Sequence, residues 1–358
     1  MPLTSSVLTR REFFAAAGLG SLAVPAIASM PPALTLHFRG SGEKQTLTVH
    51  RRGVAGHSSP ITIRANASEM REFMILIGQP PGDTDARMKS LASTLYGQIW
   101  GPIRTEPLSY RTLHICAEDD FEQFAFEALR GERQWIGRAA AVHYLTKTRT
   151  PSAPFRLPPI PKRASYSYAP FPGRGAGMPW AAREGRLVAK LTRAELREGP
   201  QATKSQLLAD LGRPFGILHV ATHGFEIVGR PNSACIALHR AEYASHREGW
   251  FDALRPDDLN AIRVDGRLVV LSACAPDPAA AQALSTRLIK CGAGEVISSR
   301  YGALDDAAAF IFMDRFYGEL KNGANSGIAL LKARSVMIDG SYSAYKHPYF
   351  WAAFRSFV

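Results

Sequence analysis

The sequence predicts an α/β protein with a mostly parallel central sheet between layers of helices. Two continuous apolar runs of strand length, FGILHVA at residues 215–221 and RLVVLS at residues 267–272, are typical of strands buried on both faces of a parallel sheet. Helical patterns lie between and after these runs, and this alternation favours a layered sheet with crossover connections. No period of about 20 to 50 residues occurs, which excludes a solenoid.

Composition supports an ordinary globular protein. The chain has 358 residues, of which 46% are hydrophobic, so it can bury a core without a metal or a disulfide framework. The four cysteines (Cys116, Cys235, Cys274 and Cys291) form no CxxC pair and have no zinc-ligand spacing. We therefore expect neither a bound metal nor a cofactor, and the sequence contains no phosphate-binding G-x-x-x-x-G-K-[ST] loop.

The first 28 residues are typical of a targeting segment. The pair Arg10-Arg11 precedes a run of small apolar residues that closes at Ala26-Ile27-Ala28, an A-x-A cleavage pattern. The RREFF order resembles the twin-arginine export signal, and the apolar run is too short to span a bilayer comfortably. We expect export to the periplasm with a mature chain that starts near Ser29 and keeps no membrane span. The alternative is an N-terminal amphipathic helix on a cytoplasmic protein.

Residues 29–69 are predicted to form a small β extension. The segments LTLHF, TLTVH and PITIR alternate apolar and polar residues and are separated by Gly-rich turns, the pattern of β-hairpins. A helical pattern over residues 68–95 follows, with a break at QPPG, residues 79–82. Apolar strands are then predicted at residues 112–116 and 140–145.

A proline-rich basic stretch, residues 147–186, is predicted to be a mobile linker. The formal charge of the whole chain is +12, and the interval from Arg130 to Lys204 holds 15 Lys and Arg residues against four acids. A block of positive charge attracts acidic partners, so the linker is a candidate docking segment for one. Interleaved aromatic residues of a base-stacking surface are lacking, which argues against nucleic acid as the partner.

The second half is more regular. After a helix at residues 203–211, we predict helices at residues 279–289, 307–320 and 326–338, and a short strand at 294–298. The last apolar segment, residues 350–357, is either a strand or a short helix.

Chemically reactive residues follow both long apolar runs. In α/β sheets such residues gather beyond the carboxyl ends of parallel strands. Here the first run leads into His223-Gly224, and the second leads into Cys274. An imidazole can take the thiol proton, and the thiolate is the attacking species. Gly224 has no Cβ, so its N–H can closely approach a developing oxyanion. His219 lies four residues before His223, but without a third ligand the pair does not predict a metal site.

Several ordered motifs resemble the CHAT family, which consists of caspase-fold cysteine peptidases. They are ILHVATHG at residues 217–224, LVVLSAC at 268–274, GAGEVISSRY at 292–301 with LDD at 304–306, RFY at 315–317, ALLKA at 329–333 and HPYFWAAF at 347–354. The resemblance covers residues 70–358 and implies a caspase-like three-layer domain. The separation of 51 residues between histidine and cysteine agrees with the spacing of about 50 in caspases.

The resemblance implies a role for each site residue. His223 would be the general base, Cys274 the nucleophile, and the N–H groups of Gly224 and Cys274 the oxyanion hole of a cysteine endopeptidase acting on proteins or peptides. Asp305 aligns best with an acidic residue of the primary specificity pocket in related proteases, which implies cleavage after Arg or Lys. The alternative for Asp305 and Asp306 is simple helix capping.

One departure from the family pattern leaves a second function open. Residues 275–278 read APDP where family members have a small polar residue and glycine, and proline lacks an N–H and stiffens the turn. The second function is a catalytically inactive CHAT pseudo-enzyme that binds a peptide or a protein. For Cys274 alone the alternative is a buried inert thiol, and the other three cysteines are expected in the core.

Overall fold

The computed structural model describes residues 33–42, 44–50, 59–103, 110–146, 160–161, 163–171, 178–226, 234–240, 251–274, 278–300, 305–341 and 344–358. The predicted export signal, the expected mature start at Ser29 and the Ala275-Pro276-Asp277 departure lie outside these residues. No helix within the described ranges combines the length and the apolar character needed to cross a membrane.

The described residues form an eleven-stranded sheet and a separate three-stranded sheet. The strands are β1 (Leu34–Arg39), β2 (Gln45–His50), β3 (Ile61–Ile63), β4 (Thr112–Ala117), β5 (Ala141–Tyr144), β6 (Tyr166–Ala169), β7 (Glu195–Glu198), β8 (Phe215–Ala221), β9 (Gly224–Glu226), β10 (Ala234–His239), β11 (Phe251–Leu254), β12 (Gly266–Ser272), β13 (Glu295–Ser299) and β14 (Phe354–Phe357). The large sheet has the order β3-β2-β1-β4-β5-β14-β13-β12-β8-β6-β7, and the small one β11-β10-β9.

Helices connect most of these strands. They are α1 (Ala67–Ile77), α2 (Asp85–Trp100), α3 (Ile136–Ala139), α4 (Pro179–Thr192), α5 (Lys204–Leu211), α6 (Pro278–Cys291), α7 (Asp306–Lys321), α8 (Ser326–Asp339) and α9 (Pro348–Trp351). The predicted break in the first helical pattern separates α1 from α2, and the last apolar segment contains both a short helix, α9, and a strand, β14.

The helices cover both faces of the large sheet. On β13, the carboxylate of Glu295 accepts a hydrogen bond from Ser326 of α8, whereas the hydroxyl of Ser298 contacts Ser285 of α6 at 2.9 Å. Side chains three residues apart on a strand point to opposite faces, so α8 and α6 lie on opposite sides of the sheet. The predicted three-layer α/β architecture is confirmed.

Nine of the eleven strands of the large sheet form two parallel blocks that run in opposite directions. Strands β6, β7, β8, β12 and β13 are parallel to one another, and so are β1, β4, β5 and β14. The blocks meet where β13 pairs antiparallel with β14. The carboxyl ends of β8 and β12 therefore lie at the opposite edge of the sheet from the carboxyl ends of β4 and β5.

The predicted β extension is joined to the large sheet. Its three segments form β1, β2 and β3, which pair antiparallel in sequence order. Strand β1 also pairs in parallel with β4, for example Leu36 beside Ile115, and the side chains of both residues are buried. The extension therefore forms one edge of the central sheet.

The prediction of a linker over residues 147–186 is wrong for two segments. Strand β6 lies between β7 and β8 with all four residues buried, and α4 begins at Pro179. The sequence of β6 is YSYA, and its hydroxyl groups are typical of a solvent-exposed segment. Two of these hydroxyl groups have hydrogen-bond partners inside the protein. Ser167 donates to the carbonyl oxygen of Gly185 at 2.8 Å, and Tyr168 donates to the Asp210 carboxylate.

Candidate active site

The sheet register brings His223 and Cys274 to neighbouring positions. Ala221 and Ser272 are paired at the carboxyl ends of β8 and β12, and the N–H of Thr222 donates to the carbonyl oxygen of Ser272 at 3.1 Å. His223 and Cys274 each follow their paired residue by two positions, and both are partly exposed. The two long apolar runs therefore place the predicted base and nucleophile at the same edge of the sheet.

Gly224 is packed directly against the backbone of Cys274. A Cβ atom at position 224 would lie 1.9 Å from the carbonyl oxygen of Cys274 and 3.3 Å from its nitrogen. Heavy atoms cannot approach so closely, so only glycine permits this arrangement. The absent side chain at residue 224 is what lets the histidine segment and the cysteine segment touch.

The backbone N–H of Gly224 is directed away from its neighbouring strand. Gly224 is paired with Ile236 of β10, and the N–H of Ala237 donates to the carbonyl oxygen of His223 at 2.9 Å. Because the bond joins the residues that flank Gly224 and Ile236, these two residues form a non-hydrogen-bonded antiparallel pair. In such a pair the N–H of each residue points away from the partner strand. The hydroxyl of Thr222 anchors the same turn by donating to the carbonyl oxygen of Ala237 at 2.6 Å. The pairing with β10 therefore leaves the N–H of Gly224 unused on that side.

The His223 ring has an aromatic and an acidic residue in its surroundings. The centroid of the Phe171 ring is 5.7 Å from that of His223. The His223 ring also acts electrostatically on the carboxylate of Asp306 at the start of α7.

A small cavity of about 10 Å3 opens beside Cys274. Two of its lining residues carry carboxylates: Glu184 of α4, which is 2% exposed, and Asp306 of α7. The other lining residues are small or uncharged, namely Met178, Ala181, Thr222, Ser272, Ala273, Cys274 and Ala309. This volume holds about one water molecule.

Glu184 destabilises the charged form of Asp306. Burial raises the pKa of Asp306, and the negative charges of Glu184 and Asp305 raise it further, while His223 works in the opposite direction. Glu184 also reaches His219, whose Nε2 lies 3.0 Å from Oε1 of Glu184. The cavity is therefore a site where an added positive charge is electrostatically favoured.

Asp305 caps α7 rather than lining the cavity. Its Oδ1 accepts a hydrogen bond from the N–H of Ala308 at 2.7 Å, so Asp305 is the N-cap residue of this helix. Its charge still reaches the site. Burial is the main cause of the raised pKa of Tyr349, and the charges of Asp305 and Cys274 raise that pKa further. A pocket role for Asp305 stays a prediction, and the adjacent Asp306 is the residue at the cavity wall.

Sequence reasoning missed Glu184 although its spacing contained a signal. Ala181, Glu184, Gly185 and Val188 are all buried, and offsets of three and four residues place them on one face of α4. A carboxylate in the middle of such an apolar face marks a charge directed into the protein. The linker prediction for this stretch concealed the pattern.

The remaining histidines and cysteines of the sequence motifs lie outside the candidate site and have contacts of their own. The His219 ring is buried, and its Nδ1 lies 3.0 Å from the hydroxyl of Tyr317. Nδ1 of His347 accepts a hydrogen bond from the N–H of Tyr349 at 3.1 Å. Cys116 and Cys235 are buried as expected, whereas Cys291 is partly exposed and its thiol donates to the carbonyl oxygen of Leu259.

Two cysteine proteinase structures are among the solved structures that are similar to this chain. One is a crystal structure of the Arg-specific cysteine proteinase gingipain R, with 9% identity, a TM-score of 0.45 and coverage of 81% of this chain and 74% of that chain. The other is a complex of the pro- and mature domains of RgpB from Porphyromonas gingivalis, with 10% identity, a TM-score of 0.46 and coverage of 81% and 75%.

Sequence comparison with curated proteins found no match. The family model of the CHAT domain, in contrast, matches residues 89–357, which begin within α2 and include every segment of the site described above. Since this match spans well over half of the chain, the protein belongs to the CHAT domain family.

Proposed function

We propose that this protein is a cysteine endopeptidase in which Cys274 is the nucleophile and His223 the general base. The observation that carries the proposal is the backbone contact between Gly224 and Cys274, which a Cβ atom would abolish. This contact joins the segments that carry the histidine and the cysteine, and both segments follow the carboxyl ends of two paired strands. A cysteine beside a histidine at such an edge is the arrangement that thiolate chemistry requires.

The proposed reaction proceeds through an acyl-enzyme. The imidazole of His223 takes the thiol proton of Cys274, and the thiolate attacks the carbonyl carbon of the scissile peptide bond. The N–H groups of Gly224 and Cys274 stabilise the oxyanion that forms. His223 then gives its proton to the departing amine, the thioester at Cys274 remains, and a water molecule activated by His223 hydrolyses it.

We further propose a preference for Arg or Lys on the amino side of the cleaved bond. The carboxylates of Glu184 and Asp306 line the cavity next to Cys274, and their mutual repulsion would be relieved by a cationic side chain. Asp305 adds negative charge at the same helix end. A cavity of about 10 Å3 is smaller than either basic side chain, so substrate binding has to widen it.

The test is cleavage of a fluorogenic peptide library that varies the residue before the scissile bond, under reducing conditions with the full chain. We expect cleavage after Arg or Lys that is absent in Cys274→Ala and retained in Cys291→Ser, a matched change at a partly exposed cysteine. Glu184→Gln and Asp306→Asn should reduce the preference for basic residues. Asp314→Asn, an exposed position on the same helix as Asp306, should not change it.

Three outcomes would contradict different parts of the proposal. Cleavage that is unaffected by Cys274→Ala excludes the proposed nucleophile. Absence of cleavage, combined with a Cys274 thiol that no electrophilic probe labels near neutral pH, favours the inactive, peptide-binding alternative. Cleavage with no basic preference retains the peptidase and removes the role of the two acids.

A further inference from the structure

Three side chains with metal-binding atoms converge beside strands β1 and β4, away from the candidate active site. They are His37 of β1, Cys116 of β4 and Glu118, which follows β4. His37 and Cys116 are register partners on adjacent parallel strands. Their neighbours Phe38 and Ile115 are fully buried in the core, so alternation along the strands directs the histidine and the cysteine to the opposite face.

The three donor atoms are already close together. The imidazole nitrogen, the sulfur and a carboxylate oxygen all lie within 4.8 Å of one another, and Nε2 of His37 is 3.0 Å from Oε1 of Glu118. Donor atoms around a tetrahedral zinc ion are roughly 3.3–3.8 Å apart at the usual bond lengths. Small side-chain rotations therefore suffice to close the three atoms around one ion.

The surroundings also suit a metal ligand set. Cys116 is 4% exposed, so its sulfur is shielded from bulk solvent. Nε of Arg39 donates to Oε2 of Glu118 at 3.1 Å, and its Nη2 makes a longer contact of 3.4 Å with Oε1, the oxygen that faces His37. Arg39 can therefore keep its shorter contact with Oε2 and orient the carboxylate, while an ion at Oε1 replaces the longer contact.

We propose that His37, Cys116 and Glu118 form a zinc site that fastens strand β1 to strand β4. Imidazole, thiolate and carboxylate are the three protein ligand types of Zn2+, and a water molecule would complete four-coordination. Cys116 binds as the thiolate and releases its proton to solvent. The sequence expectation of no metal rested on CxxC spacing, which does not detect ligands from two strands separated by 79 residues.

The zinc site is independent of the proposed peptidase site. Strand β4 is four positions from β12 in the sheet order, about 19 Å at the usual strand spacing, and the two strands end at opposite edges. Residues 33–63, which contain β1, precede the matched CHAT region, whereas β4 lies within it. The ion would therefore attach the N-terminal strands to the family domain.

Cobalt spectroscopy on the full chain tests this site, with Cys274→Ala as the background so that the proposed nucleophile cannot bind the ion. We expect one Co2+ per chain with a thiolate-to-cobalt charge-transfer band that Zn2+ displaces. Cys116→Ser should abolish the band, and His37→Gln should weaken Zn2+ binding by more than the roughly 10- to 100-fold typical of losing a supporting residue. Cys291→Ser is the matched control and should leave both unchanged.

Stability provides a second measurement. The thermal midpoint of the background protein should rise with free Zn2+, because an ion that binds only the folded state stabilises it. That rise should disappear in His37→Gln and Glu118→Gln, which decide the question if Cys116→Ser fails to fold. Absence of the band in the background protein, or a band that persists in both Cys116→Ser and His37→Gln, overturns the proposal.

Discussion

Replacing Gly224 with alanine should force apart the two segments that carry the proposed dyad. The new Cβ would lie 1.9 Å from the carbonyl oxygen of Cys274, where ordinary contact begins at 3.4 Å, so the two backbones must separate by about 1.5 Å. The clash is with a backbone oxygen, so no side-chain rotation can relieve it. The cost therefore falls on the distance between His223 and Cys274.

The magnitude follows from that displacement. A misplacement of about 1 Å in a catalytic arrangement can cost about 100-fold in rate, so kcat/KM of Gly224→Ala should fall by at least about that factor. Overpacking of a well-packed site typically costs about 1–3 kcal/mol in the free energy of unfolding. We expect a loss within that range, together with slower labelling of Cys274 by a thiol probe.

Gly318→Ala is the matched control for this experiment. Gly318 lies inside α7, and a Cβ there meets no heavy atom within 4 Å. Alanine is the better helix former by about 1 kcal/mol, so this variant should be unchanged in activity and no less stable than the parent. The assay is peptide hydrolysis with urea unfolding on the same preparations. If Gly224→Ala matches Gly318→Ala in both measurements, the close backbone contact has no role in the site.

Three further predictions address the dyad, acid stability and the buried charges. His223→Ala should slow thiol-probe labelling of Cys274 near neutral pH, measured by mass spectrometry, and an unchanged rate excludes His223 as the base. Burial lowers the pKa of His114 from 6.5 to about 4, so the unfolded state binds a proton that the folded state excludes. The free energy of unfolding should therefore fall as pH drops from 6.5 to 4, and His114 contributes about 3 kcal/mol to this fall. Urea unfolding of His114→Gln should show a smaller pH dependence than that of the parent protein. Glu127→Gln should lower the free energy of unfolding by about 3–5 kcal/mol, because it leaves buried arginines uncompensated. Glu72→Gln, at an exposed ion pair, should have little effect in the same urea titration, and equal effects would contradict the reasoning.

The sequence predicts the centre of the fold better than its edges. Strands β8 and β12 are mostly apolar because neighbours cover both faces, and that pattern is visible in a single sequence. Strand β6 is equally buried but polar in composition, since Ser167 and Tyr168 find partners on α4 and α5. Such partners are brought together only by the tertiary fold, so no local pattern reveals the strand.

Strand direction was also hidden from sequence reasoning. Alternating strands and helices predict crossovers between parallel neighbours, which holds within each block. The reversal between β13 and β14 depends on how the C-terminal strand enters the sheet, and Phe354–Phe357 as a sequence gives no indication of it. The neighbouring positions of His223 and Cys274 were predictable, because each motif follows a long apolar strand and the two strands are paired in register. Glu184 on α4 could be found only after the helix itself had been recognised.

Buried arginines join the two blocks at this reversal. Arg300, directly after β13, donates through Nη2 to Glu127 at 2.8 Å and through Nη1 to the carbonyl oxygen of Gln123 at 2.9 Å. Arg355 of β14 donates to the carbonyl oxygen of Glu122 at 2.8 Å. One segment after β4 thus binds an arginine from each side of the reversal.

This junction bears on the proposed active site. The backbone N–H of Arg300 donates to the carbonyl oxygen of Ala353 at 2.7 Å, which fixes the end of β13 against the C-terminal block. Helix α7, whose first residue is Asp306, begins shortly after this anchor in the chain. The helix that carries this acid also contacts the C-terminal block directly, since the ring centroids of Phe312 in α7 and Phe354 in β14 are 4.8 Å apart. The end of β13 touches the cysteine segment as well, because the Ser299 hydroxyl donates to the carbonyl oxygen of Ala273, the residue before Cys274. Loosening the Arg300 anchor should therefore disturb the proposed nucleophile and not only the acid at the cavity wall.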